Sequence, residues 1–192
     1  MSKLITALES IKQFLQHHLQ SEFEQPLTLS DIQHFTAALP FDLPPELLEL
    51  YQWHNGQPED QVFFDYFSFY SLQDALFEYQ QLRAVSIQLE QAHGFCSWPE
   101  GRWPIFGFEG EYFCVDCKES RRPLWFVFIE DEPRYWFDSF EVFVEFLAQA
   151  FELGYYETDA EQKLKPVSHK LHELRLSQIS PGADQSPLHQ IL

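Results

Sequence analysis

Cations are scarce in this sequence: 12 Lys and Arg stand against 30 Asp and Glu, a formal net charge of −18. Nucleic acids and anionic membrane surfaces are bound through Lys and Arg clusters that displace counterions, so both are poor ligands for this chain. Glycine is sparse too, at 7 residues. No Gly-rich phosphate loop, nucleophile elbow or His-Glu-x-x-His zinc helix occurs. Three cysteines is an odd number and low for an exported disulfide scaffold, which points to a reducing compartment. Residues 1–12 lack the basic start and unbroken apolar run of a secretory signal, and polar residues interrupt every apolar stretch before it reaches spanning length. A soluble cytoplasmic protein is the expectation.

What the chain has is enough apolar material for one core. Its 192 residues are 45% apolar, which predicts about one domain that folds without staples. The 20 Phe, 8 Tyr and 5 Trp crowd mainly into residues 51–156, and residues 157–192 contain none. The packed body is therefore expected over 1–156, with 157–192 as an extension.

Helical spacing of Leu4, Ala7, Leu8, Ile11, Leu15 and Leu19 predicts a first helix over 3–19. A second starts near Thr28, where Thr28 and Asp31 resemble a capping box. In the run Leu43-Pro44-Pro45-Glu46-Leu47, proline suits a first helical turn and Glu46 its positive end, and Asn55-Gly56 tolerates the left-handed conformation that stops the helix. Residues 61–70, rich in Phe and Tyr, read as a strand. Ser71 and Asp74 form a second capping pattern, and Leu72, Ala75, Leu76, Tyr79, Leu82 and Leu89 carry a helix to about residue 91. Strands over 103–108, 111–117 and 124–129, joined by tight connections, make an antiparallel meander the economical arrangement. A second acidic turn leads to Arg134-Tyr135-Trp136-Phe137, and Asp138 or Ser139 caps a Phe-rich helix that ends at Gly154. Residues 158–176 are expected as helical turns interrupted by Pro166, and 177–192 as a mobile tail.

Reactive chemistry finds little support. His93-x-x-Cys96 followed by Cys114-x-x-Cys117 has the makings of a four-ligand zinc site. However, Cys114 and Cys117 fall in an apparent strand, where residues three apart point to opposite faces, so buried structural thiols are the competing reading. As a redox pair they lack the helix start that lowers a thiol pKa. The eight histidines are scattered, and carboxylate pairs in so acidic a chain arise by chance.

The charge distribution is more informative. Residues 13–162 hold 27 Asp and Glu against 6 Lys and Arg, a net of −21, so the acidity belongs to the body. Glu109, Glu111, Glu119, Glu130, Asp131 and Glu132 fall at turns of the meander, where clustered negative charge steers a basic partner. With Trp53 and Trp103, a residue type enriched at binding hot spots, they are the candidate partner-binding residues; solvated turns and core packing are the alternatives.

The order of these segments resembles the SUKH superfamily, which includes the yeast cell-wall assembly regulator and many bacterial immunity proteins. The resemblance covers about residues 27–153. It rests on the Leu-Pro-Pro-Glu-Leu helix ending in His54-Asn55-Gly56, the aromatic segment leading into Ser71-Leu72-Gln73-Asp74-Ala75, and Trp103-Pro104-Ile105. Gly110 with Tyr112-Phe113-Cys114-Val115-Asp116, a hydrophobic strand over 124–129 and the helix start Phe137-Asp138-Ser139-Phe140-Glu141 complete it. The resemblance implies an α+β fold, a largely antiparallel sheet packed by helices, and a non-enzymatic protein-binding function without metal or cofactor. An antitoxin-like immunity protein covering a basic toxin domain, frequently a nuclease, is the leading expectation. A regulatory interaction protein of wall synthesis or signalling comes second. A zinc-stabilised domain or hydrolase using His93, Cys96, Cys114 and Cys117 comes third.

Overall fold

The first helix forms where the apolar spacing places it. In the computed structural model, which describes residues 2–58, 60–129, 131–159 and 163–186, α1 (Lys3–Leu19) is capped by the Ser2 hydroxyl accepting from Ile5 N, and Leu4, Leu8, Ile11 and Leu15 are buried. Helix α2 (Leu29–Thr36) carries the full Thr28–Asp31 capping box. Helix α3 (Pro45–Trp53) has proline in its first turn and buries Leu47, Leu50 and Tyr51.

Asn55 and Gly56 do more than stop α3. Gly56 has φ +91, and a Cβ there would lie 2.4 Å from Ser71 N. Asn55 Oδ1 accepts from Leu72 N at 2.9 Å and its Nδ2 donates to Gln73 Oε1 at 3.0 Å. The pair joins the end of α3 to the start of α4 (Leu72–His93), whose N-cap is Ser71.

Of the strand expected over 61–70, only β1 (Ser68–Phe69) forms. Phe63, Phe64 and Phe67 are all buried, which strict alternation forbids; a tight turn through Asp65 (φ +47) brings Phe64 and Phe67 together. The meander follows as expected and gains a strand: β2 (Arg102–Phe108), β3 (Glu111–Asp116), β4 (Leu124–Phe128) and β5 (Arg134–Phe137) run antiparallel in the order β1-β2-β3-β4-β5. Glu109 and Gly110, both at positive φ, make the tight β2–β3 turn.

Helix α5 (Phe140–Glu152), capped by Ser139, lies on one face of the sheet. Phe143 stacks on Phe113 with ring centroids 5.3 Å apart, and Phe106, Phe113 and Phe126 form an aromatic layer beneath it. Helix α1 packs on α5, with the rings of Phe14 and Phe151 at 4.6 Å. The α+β architecture, a largely antiparallel sheet packed by helices, is therefore present.

The C-terminal reading needs correction. Instead of helical turns broken at Pro166, the chain forms a hairpin, β6 (Tyr156–Thr158) with β7 (Leu164–Pro166), and then a single helix, α6 (Ser168–Gln178). Pro166 ends the hairpin, where its missing N–H breaks no helix. Arg175 is buried with its guanidinium 3.7 Å from the Trp136 ring centre, and it donates to Ser186 O at 2.7 Å. Asp184 N donates to Tyr135 O at 2.7 Å, so residues 179–186 of the expected mobile tail pack back on β5; residues 187–192 lie outside the described residues.

Candidate partner-binding groove

Alternation along the strands gives the sheet a second face. Arg102 opposite Asp116, Gly107 opposite Tyr112, Cys114 opposite Trp125 and Tyr112 opposite Val127 all project away from the Phe-rich layer. The carboxylate of Asp116 finds a donor in Lys118 N at 3.0 Å, which meets the need of a nearly buried charge in an apolar strand.

On this face Arg102 is 6% exposed and lies between two indoles, 5.8 Å from Trp98 and 5.4 Å from Trp125. Burial lowers its pKa, and Cys114 and Asp116 oppose that shift. Trp98 is fixed at three points: its N–H donates to Ser86 Oγ at 2.9 Å, its Nε1 donates to Arg102 O at 2.8 Å, and its carbonyl accepts from Arg83. Its ring meets Tyr112 edge-on at 5.5 Å. The Tyr112 hydroxyl donates to Glu78 Oε2 at 3.0 Å; burial and that carboxylate hold the hydroxyl well above the ordinary phenol range.

Between α4 and the turn after β4 this surface opens into a groove of about 990 Å³. One wall is the Leu82, Val85 and Leu89 stripe of α4; another is the segment following α4, with Phe95 and Cys96; Val127, Ile129, Asp131 and Glu132 border the third side. Val85, Phe95 and Ile129 are 54%, 60% and 59% exposed. Burying such side chains contributes roughly 1.5–3 kcal/mol each, a contribution the free protein forgoes. Concave, mostly apolar surface with a few polar groups at its edge makes this groove the candidate binding site.

The turn carboxylates are not brought together as one cluster. Glu109, Glu111, Asp131 and Glu132 stand at one end of the sheet, where Ile129 N donates to Gly110 O at 3.1 Å and ties the two turns. Glu111 there accepts from the Tyr66 hydroxyl at 2.7 Å. Glu119 is at the opposite end, in a loop that also holds Lys118, Arg121 and Arg122, and Glu130 lies outside the described residues. Both candidate tryptophans are core side chains. Trp103 is fully buried with Nε1 toward Tyr51 Oη at 3.3 Å, and Trp53 is 7% exposed with Nε1 on Glu9 at 2.7 Å.

The four residues of the zinc pattern do not converge. Cys114 is buried in the sheet, Cys96 is exposed on the groove, and among the described residues no three His, Cys, Asp or Glu side chains are arranged to hold a metal. Burial pushes the Cys114 and Cys117 thiols up, which keeps them from acting as thiolates near neutral pH.

The groove residues missed in the sequence had a signal. Val85 is apolar but falls off the Leu72-Ala75-Tyr79 stripe, and with Leu82 and Leu89 at three- and four-residue spacing it widens the apolar face of α4 beyond the part that packs on the core.

The SMI1 / KNR4 family (SUKH-1) model matches residues 26–149. The chain is a SUKH-1 family member. No curated protein matches it. In this SUKH-1 domain the matched stretch runs from just before α2 into α5, and so contains the whole meander and the whole groove. Helix α1 and the hairpin with α6 are outside the match. Among the described residues no helix is long and apolar enough to cross a membrane.

Proposed function

We propose that this SUKH-1 protein is a non-enzymatic binding protein that covers a partner domain, in the manner of the immunity proteins of its family. The observation that carries the reading is the juxtaposition of exposed Val85, Phe95 and Ile129 with the acidic Asp131 and Glu132 on one surface. Exposed apolar anchors give affinity on burial, and an anionic field raises the encounter rate with a basic domain and repels acidic competitors. A body of net −21 over residues 13–162 extends that field well past the groove. The partner that fits is a basic toxin domain such as a nuclease.

The test is co-expression with the toxin-like product of a neighbouring gene, combined with calorimetric titration of the two purified proteins at low salt. Protection of the host and binding that weakens as salt rises are expected. Neither binding nor protection sinks the reading, and co-purification of wall-synthesis or signalling proteins in place of a toxin moves the function to regulation.

A further inference from the structure

We infer that the groove between α4 and the β4–β5 turn takes a basic amphipathic helix of the partner, its apolar side chains on Val85, Phe95 and Ile129 and its Lys or Arg side chains on Glu78 and Glu132. This rests on the protein-binding reading above and adds the place of contact and the chemistry of the occupant.

Shape comes first. Glu78, Leu82, Val85 and Leu89 recur at three- and four-residue spacing along α4, which makes a wall about 16 Å long, three helical turns. A trough of that length suits a helix that offers anchors at i, i+3 or i+4, and i+7. The exposed anchors come from three separate parts of the chain: Val85 from α4, Phe95 from the segment after it, Ile129 from the end of β4. Each is more than half exposed, and all three line the same groove.

Charge decides the flanks. Glu78 and Glu132 have no ion pair among the described residues, whereas Asp131 is held by Arg134 at 2.8 Å. The cation in the lining, Arg102, is 6% exposed and stacked between indoles, so it offers almost no surface to an incoming chain. The rim is therefore anionic and calls for basic flanks. A second copy of this chain, itself at −18, would set two such rims against each other. A small apolar ligand would find the Trp98 Nε1 and the Tyr112 hydroxyl already bonded within the protein, and the Arg102 guanidinium, whose Nε has no partner among the described residues, only 6% exposed.

The test titrates the full-length protein with a dye-labelled peptide of about twelve residues, leucine along one helical face and lysine elsewhere. We expect saturable binding that falls about tenfold or more in the Phe95→Asp/Ile129→Asp double variant, and several-fold in Glu132→Lys or on raising the salt. Phe77→Asp leaves binding unchanged, since Phe77 is as exposed on α4 but does not line the groove. A peptide with glutamate in place of lysine does not bind. The inference is overturned by binding that the double variant leaves intact while its circular dichroism and melting curve match the parent, or by equal binding of a scrambled peptide. Dimerisation abolished by the double variant, or a groove that fills with a small apolar dye and excludes the peptide, also overturns it. Toxin protection that survives the double variant defeats this inference and spares the proposed function. Peptide binding in the groove without any toxin protection does the reverse.

Discussion

Gly56 illustrates how much a single position can be asked to hold. Its φ of +91 is a conformation that L side chains rarely adopt, and the Ser71 backbone fills the space a Cβ would need. Gly56→Ala therefore combines backbone strain with a main-chain clash and should cost about 2–4 kcal/mol in denaturant unfolding. The sequence marks this glycine as a helix stop, but its packing against α4 depends on a residue fifteen positions away. Asp65 is a second residue whose role is invisible locally. Its carboxyl is buried although the residue is half-exposed, one oxygen has no partner among the described residues, and burial raises its pKa to about 7, with a hydrogen bond from Tyr156 opposing the rise. Because the folded pKa lies above the unfolded one, the native state binds more protons between about pH 4 and 7, and stability falls as pH rises through that window. Asp65→Asn keeps the shape, tolerates the positive φ and removes the charge. The variant should match the parent near pH 4 and exceed it above pH 7 by about 1–3 kcal/mol, the usual cost of an unsatisfied buried polar group. Urea melts across that range check the sign, and a constant difference at all pH values would refute the assignment.

At the scale of elements, α4 is a helix with two different halves. Leu72, Ala75 and Tyr79 bury its first turns, whereas beyond Leu82 the residue fully buried is Ser86, and Val85 and Ile87 face outward. Ser86 is buried because it serves as an acceptor: its hydroxyl takes the Trp98 N–H and so anchors the segment that forms the second wall of the groove. Ser86→Ala leaves that buried N–H without an acceptor, a loss of about 1–3 kcal/mol, and should alter tryptophan emission as Trp98 loosens. Unaltered stability and emission would mean that the wall is held by Arg83 and the Trp98–Arg102 bond alone. Periodicity gives the existence and length of α4 and says nothing about which half is covered. The same limit explains the C-terminal miss. The strands β6 and β7 are three residues each, too short for alternation to register, and Pro166 reads as a helix breaker although its place is the end of a hairpin. By contrast α2, α3 and α5 were legible because Thr28, Pro45 and Ser139 mark their starts by chemistry within one turn.

For the whole molecule, the dominant quantity is a charge of −18. Self-repulsion of that size weakens the compact state, and screening relieves it, so raising sodium chloride from about 0.05 to 0.5 M should increase the melting temperature of the free protein by a few degrees. The same screening weakens attraction to a basic partner. Salt is thus expected to move stability and binding in opposite directions, and a melting temperature that falls with salt would contradict the self-repulsion account. Acidic composition, capped helices, the aromatic meander and the SUKH-type order of segments were all determined by the sequence alone, because each is written in residues that act within a turn or a strand of one another. Which carboxylates share an end of the sheet, which tryptophans sink into the core, and the opening of an apolar groove beside α4 were decided by the tertiary structure. Those outcomes depend on which faces meet when distant segments pack, and a side chain carries no record of its eventual neighbour.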